Sequence, residues 1–315
     1  MLLERLQKHT GLTIRQLGRY AETASKRYKV YAIPKRTGGV RVIEQPSREI
    51  KAIQRWLSRA LFKRFPVHRN STAYSTGSSI RENAMRHVNS HFTLHADFQS
   101  FFPSFSGDHV ELFLRENCTK VDLDISNDDI FFVRNIVCRY NALTIGAPSS
   151  PILTNIMMFE FDNFITDWCE TRNLVYTRYA DDLFLSSFGP SELSHGLSKI
   201  EESARLCRFA DLHLNHDKTA FLSKRYRRSI TGIVVTPDHS LSIGLGRKTR
   251  IKSDIYQYKI GRLDPSEWPR VRGTLAFIRD VEPTFYATLT RKYGDVTMAS
   301  LEALESLGKV SRHSD

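Results

Sequence analysis

The chain has 315 residues, of which 41% are hydrophobic and 25% are charged, which is typical of a folded globular protein with a substantial core. The first residues lack the apolar stretch of a signal peptide, and no run approaches the roughly 18 apolar residues of a membrane span, so we expect a cytoplasmic protein that does not insert into membranes. The four cysteines show no CxxC spacing, which argues against a zinc site and against a disulfide scaffold.

The formal net charge of +12 is unevenly distributed along the chain. Residues 1–64 contain 16 Lys or Arg against 4 Asp or Glu, and residues 218–252 contain 9 against 1. Residues 65–217 have the opposite balance, with 12 against 20. One basic run alone indicates a solvated surface. Two basic runs around an acidic centre favour a polyanionic partner, with nucleic acid as the first candidate and an anionic membrane surface as the second.

The chain begins with an amphipathic helical segment over residues 1–29. Residues 30–45 predict two strands around a turn at Thr37-Gly38-Gly39. Lys35 and Arg41 lie on this hairpin. They are either surface charges that protect a sheet edge from pairing or phosphate ligands, since the guanidinium fork of Arg binds two oxygens at once.

An extended segment follows at residues 91–98 and places Asp97 at the end of a strand, just before Phe101-Phe102-Pro103. A carboxylate in this position suits a metal ligand, because hard cations prefer oxygen donors. The alternative is that Asp97 caps the following turn or helix. His87 and His95 are expected to satisfy local hydrogen bonds rather than to bind a metal.

Helical periodicity recurs between and after these motifs. The acids of Ser126-Asn127-Asp128-Asp129 are interpreted as capping residues at a helix start, not as catalytic groups. The predicted helices run from Arg48 to about Phe65, through most of 108–141, from Ile152 to Glu170, and over 191–212.

Gly146-Ala147-Pro148-Ser149-Ser150-Pro151 predicts a rigid turn ahead of a helix, because proline is tolerated in a first helical turn. The small residues Gly146 and Ala147 allow a nucleotide or a substrate strand to approach the backbone closely. Alone, this segment is an ordinary helix start.

Tyr179-Ala180-Asp181-Asp182 is the most informative motif and is flanked by two strand-favouring runs, Val175–Arg178 and Leu183–Ser186. Neighbouring strand residues point to opposite faces, and a turn relaxes that rule, so the two acids can project from a sheet edge. Together with Asp97 they can hold two divalent cations of the kind that assist in-line phosphoryl displacement. A solvated turn is the alternative, since Asp is common in turns.

The last third of the chain changes in character. Residues 233–236 and 241–243 predict a strand pair, and helical stretches interrupted by prolines follow from Arg247 onward. Basic residues recur there with Tyr256 and Tyr258 near by, a mixture suited to phosphates and stacked bases. These basic residues are Arg247, Lys248, Arg250, Lys252 and Lys259.

Taken in order, these motifs make the chain resemble the reverse transcriptases, and among them most closely the bacterial retron type. The general resemblance rests on Lys35–Arg41, Asp97–Pro103, Gly146–Pro151, Tyr179–Asp182 and the segment around Lys218. The retron type is indicated by Asn83-Ala84-Met85-Arg86-His87, which fits Asn-Ala-x-x-His, and by Ile230-Thr231-Gly232, which is near Val-Thr-Gly. Leu143-Thr144-Ile145 departs from the Leu-Pro-Gln of many relatives, which leaves the nucleotide contacts and fidelity open.

The resemblance implies an α+β right-hand polymerase fold with fingers, a palm whose antiparallel sheet packs on helices, and a helical thumb. The implied divisions are an N-terminal helical lead at 1–29, fingers at 30–90 and 108–145, the catalytic palm at 91–107 and 146–238, and an RNA-binding thumb at 239–315.

The same resemblance implies RNA-templated DNA synthesis with two Mg²⁺ ions bound by Asp97, Asp181, Asp182 and the carbonyl of Phe98. Phe102 matches the bulky residue that crowds a ribose 2′-hydroxyl in this family, although it can equally pack beside Phe101. Lys218 is expected to protonate the pyrophosphate or to stabilise its charge. The residues assigned to the incoming nucleotide are Lys35, Arg41, Phe102, Gly146, Ala147 and Lys218.

The implied partners are deoxynucleoside triphosphates, an RNA–DNA hybrid, and a cognate structured non-coding RNA that is both template and primer. Priming from a 2′-hydroxyl of that RNA gives a branched RNA–DNA product, msDNA, in a phage-defense system with an effector protein. The basic thumb is the expected reader of this RNA. Three alternatives stay open: a group II intron reverse transcriptase, a diversity-generating reverse transcriptase, and a non-catalytic RNA-binding scaffold.

Overall fold

The computed structural model describes residues 1–35, 38–75, 77–223, 225 and 227–304. The chain forms two compact units. Unit 1 contains Met1–Ser78 and Phe92–Phe221, and unit 2 contains Ser79–His91 and the chain from Leu222 onward. Two predicted elements fall partly outside the described residues: the hairpin motif, at Arg36 and Thr37, and the thumb, at its end over 305–315.

Helices and strands alternate along the chain without a single repeating pattern. In chain order the helices are α1 (Leu2–Thr10), α2 (Ile14–Thr23), α3 (Arg48–Ala60), α4 (Ile80–Arg86), α5 (Gly107–Asn117), α6 (Asn127–Val137), α7 (Ser150–Met157), α8 (Phe159–Glu170), α9 (Gly196–Leu206), α10 (Leu245–Lys259), α11 (Trp268–Val281), α12 (Pro283–Tyr293) and α13 (Asp295–Glu302). The strands are β1 (Tyr28–Pro34), β2 (Val40–Pro46), β3 (Phe92–Asp97), β4 (Val175–Tyr179), β5 (Asp182–Ser187), β6 (Ala220–Ser223), β7 (Arg228–Ile230), β8 (Ile233–Val235) and β9 (Leu241–Ser242).

The N-terminal elements agree with the sequence-based expectations. The helical lead consists of α1 and α2, separated at Gly11, whose φ of 72° ends α1. Strands β1 and β2 pair antiparallel in the predicted hairpin. The capping interpretation of Asp129 is confirmed, because its carboxylate accepts from the amide of Ser126 at 3.1 Å and from the amides of Leu2 and Leu3 at 3.2 and 2.8 Å.

One helix prediction was wrong, since residues 152–170 form two helices, α7 and α8, rather than one. Met158 lies between them with a backbone ψ of 2°, outside the helical range. Its amide still donates to the carbonyl of Thr154 at 3.0 Å, and its carbonyl accepts from the amide of Asp162 at 2.9 Å. The helix is therefore interrupted without leaving these backbone groups unpaired.

The central sheet of unit 1 has the strand order β4-β5-β3-β6, and its β3–β5 and β4–β5 pairs are antiparallel. Along β3 and β5, one face is apolar, with Leu94 opposite Leu185 and Ala96 opposite Leu183. Helix α9 packs on this face, because a Cβ atom on Gly196 would lie 3.0 Å from Leu94. The period of two then places His95, Asp97, Asp182 and Phe184 on the opposite face. The fold thus separates a core face from a polar face of the same strands.

Unit 2 contains the three-stranded antiparallel sheet β7-β8-β9, with α4 packed against it, followed by helices α10 to α13. The predicted strand pair and the predicted helical stretches are confirmed. Pro269 and Pro283 do not interrupt helices, since each lies at the start of one. No helix among the described residues is long and apolar enough to cross a membrane.

Candidate functional site

Two of the predicted catalytic acids meet across neighbouring strands. Asp97 is the last residue of β3 and lies directly opposite Asp182, the first residue of β5. Asp181 occupies the two-residue turn that joins β4 to β5, and its carbonyl accepts from the amide of Phe98 at 3.1 Å. The three acids, distant in sequence, are therefore brought together at one edge of the sheet.

Two basic side chains already bind these acids. The Lys218 amino group donates to Oδ2 of Asp97 at 2.7 Å, and this bond raises the pKa of Lys218. Nε2 of His95 is 2.7 Å from Oδ1 of Asp182, and the His95 ring stacks on Phe184 with 4.7 Å between centroids. The expected local hydrogen bond of His95 is thus made to a proposed catalytic carboxylate.

Negative charge accumulates around Asp181. The pKa of its carboxyl is raised to about 6, first by burial and then by the charges of Asp182 and Asp97, whereas the charge of Lys218 lowers it. A carboxylate among other carboxylates is stabilised by an added cation. The electrostatics of this sheet edge therefore favour a positively charged ligand beside Asp181.

The donor set fits a hard divalent cation, because its atoms are carboxylate oxygens. As the side chains stand, however, no three His, Cys, Asp or Glu groups among the described residues are arranged as a ready metal cage. Two of the three acids are engaged in ion pairs, Asp97 with Lys218 and Asp182 with His95. Asp97, Asp181 and Asp182 would supply the oxygen ligands of a divalent cation here, and Lys218 and His95 would then have to give up their present bonds to Asp97 and Asp182.

A buried arginine supports the turn that carries Asp181. Arg178 is fully buried and donates to Asp162 on α8 twice, from Nε at 2.8 Å and from Nη2 at 2.6 Å. Its Nη1 donates to the carbonyl of Ala180 at 3.2 Å. Ala180 has a φ of 57°, which is unfavourable for a residue with a Cβ atom. Arg178 thus stabilises the strained turn through its hydrogen bond to the carbonyl of Ala180.

The same network includes the helix after the Gly146–Pro151 turn. Asn155 on α7 accepts from Arg178 Nη1 at 3.2 Å and from the Ser71 hydroxyl at 2.9 Å, and it donates to the carbonyl of Ala73 at 2.8 Å. Tyr176 completes the set by donating to Asp162 at 2.6 Å. Because the charge of Arg178 is matched by Asp162, its pKa is raised although burial alone lowers it.

Gly146 has a structural explanation of its own. Its φ is 115°, and a Cβ atom there would lie 3.0 Å from the carbonyl oxygen of Glu44 on β2. The amide of Glu44 also donates to the carbonyl of Ile145 at 2.8 Å. The close backbone approach at Gly146 is therefore made by a strand of the protein, and Ala147 is buried. The nucleotide contacts of both residues stay a prediction.

The remaining predicted nucleotide residues differ in exposure. Lys35 and Arg41 are exposed on the β1–β2 hairpin. Phe102 is half-buried and packs edge-on against Phe101 with 5.6 Å between centroids, so the packing role that was left open is present. The ring of Phe98 is buried, and a metal contact by its carbonyl stays a prediction.

The basic residues of α10 divide into two groups. Lys248 is half-buried and forms an ion pair with Glu282, and Arg247 donates to the carbonyl of Gly232 at 2.7 Å, so both have partners within unit 2. Arg250, Lys252 and Lys259 are exposed, and the Arg250 guanidinium lies 3.7 Å from the carboxylate of Glu267, whose side chain is itself partly exposed.

Sequence reasoning missed two residues of this site, His95 and Arg178. His95 precedes Asp97 by two positions on a strand, so strand periodicity alone places both on one face. That signal was sufficient to include it. Arg178 lies on the opposite face of the sheet from the acids, and its link to the turn depends on Asp162, which no local pattern reveals.

Similar proteins cover most of the chain. The family model described as reverse transcriptase (RNA-dependent DNA polymerase) matches residues 33–235. The retron Ec83 reverse transcriptase of Escherichia coli is 36% identical over 87% of this chain and 89% of its own length. The retron Ec86 reverse transcriptase of Escherichia coli is 31% identical over 93% and 90%, and the retron Mx162 reverse transcriptase of Myxococcus xanthus is 28% identical over 91% and 66%.

Solved structures show the same fold at low identity. Apo telomerase from Candida Tropicalis superposes with a TM-score of 0.52 at 15% identity, over 93% of this chain and 63% of that one. Telomerase from Candida albicans gives 0.50 at 15% identity, over 90% and 58%. This chain thus spans less than two thirds of either telomerase.

The polymerase fold is confirmed, and the match in sequence extends over most of the chain and most of the first two retron proteins. The chain belongs to the reverse transcriptases, is of the bacterial retron type, and is an RNA-directed DNA polymerase.

Proposed function

We propose that this enzyme synthesises DNA on RNA with two Mg²⁺ ions held by Asp97, Asp181 and Asp182. The observation behind this proposal is the pairing of Asp97 with Asp182 across β3 and β5, with Asp181 in the adjoining turn. The pKa of Asp181 is raised by burial and by the charges of Asp182 and Asp97, and those neighbouring negative charges support the proposal because they favour a bound cation. The Phe98 carbonyl is the proposed fourth ligand.

When bound, the two ions lower the pKa of the primer hydroxyl and neutralise the triphosphate and the leaving pyrophosphate. The protein supplies position and charge. Lys218, next to Asp97, is placed to stabilise negative charge on the pyrophosphate. Lys35 and Arg41 approach the triphosphate from the hairpin, and Phe102 limits the space at the ribose 2′ position.

We further propose that the template is a cognate structured non-coding RNA and that a 2′-hydroxyl of this RNA primes synthesis, which gives branched msDNA. The support is the similarity to retron reverse transcriptases over most of the chain. Arg250, Lys252 and Lys259 supply the exposed charge for an RNA backbone in unit 2. A cytoplasmic location and a role in phage defense with an effector protein belong to the same proposal.

The branch can be tested on nucleic acid that co-purifies with the expressed protein and its neighbouring RNA locus. Treatment with ribonuclease is expected to leave DNA that retains a ribonucleotide joined through its 2′ oxygen, and a debranching enzyme is expected to release it. A linear DNA with no such ribonucleotide would contradict the priming proposal. Loss of extension in EDTA, restored by Mg²⁺, tests the metal requirement separately.

A further inference from the structure

One segment of unit 1 changes from fully buried to exposed within a single residue. Ser71, Thr72 and Ala73 have exposed fractions of 3%, 1% and 0%, and the next residue, Tyr74, is 57% exposed. The chain therefore passes from the core to the surface at Tyr74.

Neighbouring elements fix the backbone that leads to Tyr74. The amide of Thr72 donates to the carbonyl of Arg178 at 2.8 Å, and the amide of Arg178 donates to the carbonyl of Asn70 at 2.8 Å. The carbonyl of Ala73, which belongs to the peptide group that joins Ala73 to Tyr74, accepts from the side-chain amide of Asn155 at 2.8 Å. The network that supports the Asp181 turn therefore also anchors Tyr74.

Tyr74 itself has a φ of 59°, in the left-handed region that disfavours bulky side chains. Such strain is often kept at sites of function. The conformation alone does not single out Tyr74, because Tyr140 shares it with a φ of 46° and is 67% exposed. The two tyrosines differ in what surrounds them.

The backbone that precedes Tyr74 pairs with the strand that leads into the Asp181 turn, since Ser71 forms a β-bridge with Arg178. Although more than half of the residue faces solvent, burial raises the pKa of its phenol, and the nearby charges of Asp181 and Tyr179 raise it further, while Arg41 lowers it. Tyr74 thus lies within electrostatic reach of a proposed metal ligand and of a proposed triphosphate ligand. The ring of Tyr140, in contrast, lies under the guanidinium of Arg139, with 4.7 Å between that group and the ring centroid.

We propose that the Tyr74 ring packs against the nucleotide that pairs with the templating base, as a positioning contact for the incoming deoxynucleotide. This inference rests on the proposed function only in taking Asp181 as part of the catalytic site. A flat ring on an anchored backbone suits this role because stacking tolerates all four bases. The strained φ is the conformation that turns the ring away from the core and toward the site.

The test is nucleotide affinity in a stalled complex of the full chain with an RNA template and a dideoxy-terminated DNA primer, which requires no catalysis. Tyr74→Ala removes the ring and keeps the strain. Tyr74→Asn removes the ring and relieves the strain, since Asn tolerates the left-handed region. Tyr74→Phe keeps the ring and serves as the conservative rescue. Tyr140→Ala is the matched control, because Tyr140 is also exposed and has the same backbone conformation but lies beside Arg139.

We expect Tyr74→Ala and Tyr74→Asn each to weaken deoxynucleotide binding about tenfold or more, as for the loss of one stacked ring. Tyr74→Phe is expected to restore the affinity, and Tyr140→Ala to leave it as in the unmodified chain. The Kd for primer–template is expected to stay the same in all four variants. The unfolding temperature of Tyr74→Asn is expected not to fall. If the role of Tyr74 were purely structural, removing its ring would lower the unfolding temperature.

Three results would overturn the inference: unchanged nucleotide affinity in Tyr74→Ala, recovery of affinity in Tyr74→Asn, or an equal loss of primer–template affinity. Extension assays on the unmodified chain and on Asp181→Asn are run in parallel. If Asp181→Asn extends primers normally, the proposed metal site is wrong, and the stalled-complex affinities still decide the role of Tyr74.

Discussion

Arg178 in unit 1 and Arg228 in unit 2 are the two largest fully buried side chains among the described residues, and they are buried in different ways. Arg178 pairs with Asp162 through two nitrogens and also donates to Asn155 and Ala180. Arg228 donates to backbone carbonyls of Ser90 and Val88. Among the described residues, no carboxylate lies within ion-pair distance of Arg228, and burial lowers its pKa.

The difference extends to the neighbouring amides. Asn155 uses both amide atoms in the network beside Arg178. Asn83, equally buried on α4, has no hydrogen-bond partner for either amide atom within the described part of the chain. The polar core under the catalytic turn is thus fully paired, which fixes one geometry, whereas the polar core of unit 2 is only partly paired. Precise positioning is expected of the first region and not of the second.

The largest expected effect comes from the two arginines. Arg178→Met leaves the Asp162 carboxylate buried without its partner, which is expected to lower the free energy of unfolding by about 3–5 kcal/mol. Arg228→Met removes a buried charge that has no carboxylate partner among the described residues, and it is expected to lower the free energy of unfolding by about 1–2 kcal/mol or less. Urea unfolding of both variants measures the difference. Equal losses would contradict the contrast between the two regions.

Asn155 and Asn83 provide a matched pair with the next largest expected effect on stability. Both lie on helices and are buried, so replacement by alanine has similar cavity and helix-propensity terms. Asn155→Ala also leaves three partners unsatisfied and is expected to cost about 2–4 kcal/mol, against about 1 kcal/mol or less for Asn83→Ala. The measurement is again chemical unfolding. A larger loss for Asn83→Ala would show that its amide has partners in solution.

A buried histidine makes the stability of unit 2 depend on pH. Burial lowers the pKa of His87 to about 3, and the charges of Arg228 and Arg86 act in the same direction. Below about pH 6.5 the unfolded chain binds a proton that the folded chain does not. The free energy of unfolding is therefore expected to fall by about 1 kcal/mol per pH unit between pH 6.5 and 5.

The histidine contribution is isolated by comparing the unmodified chain with His87→Gln at each pH. Other acidic groups contribute to both curves and cancel in the difference. The variant is expected to lose less stability on acidification, so the two curves converge as the pH falls. Parallel curves would mean that His87 is protonated in the folded state.

Local patterns predicted most of the fold. The alternation of residues 91–98 and the run around Tyr179–Asp182 predicted the strands β3, β4 and β5, whereas the meeting of their acids was inferred from the proposed metal chemistry and the resemblance to reverse transcriptases. Helical spacing placed the main helices, although it missed the break at Met158, because the apolar pattern continues through that residue while the backbone leaves the helical range.

Partners across the chain could not be predicted. Lys248 belongs to a basic run that suggested RNA, yet its charge is matched by Glu282, 34 residues away. From the sequence, Arg178 was only one residue of a predicted strand. Its role in stabilising the turn depends on Asp162 on α8 and Asn155 on α7. Such pairs depend on how elements pack, and a single sequence contains no periodic signal for them.

The central claim is that Asp97, Asp181 and Asp182 form the catalytic metal site. The most direct measurement is the rate of primer extension on an RNA template with Mg²⁺ for Asp97→Asn, Asp181→Asn and Asp182→Asn, with the exposed Asp167→Asn as control. Each of the first three is expected to lower the rate by about 10²-fold or more, since electrostatic stabilisation dominates this chemistry, while Asp167→Asn keeps the unmodified rate. Extension at the unmodified rate by Asp97→Asn and Asp181→Asn would contradict the claim.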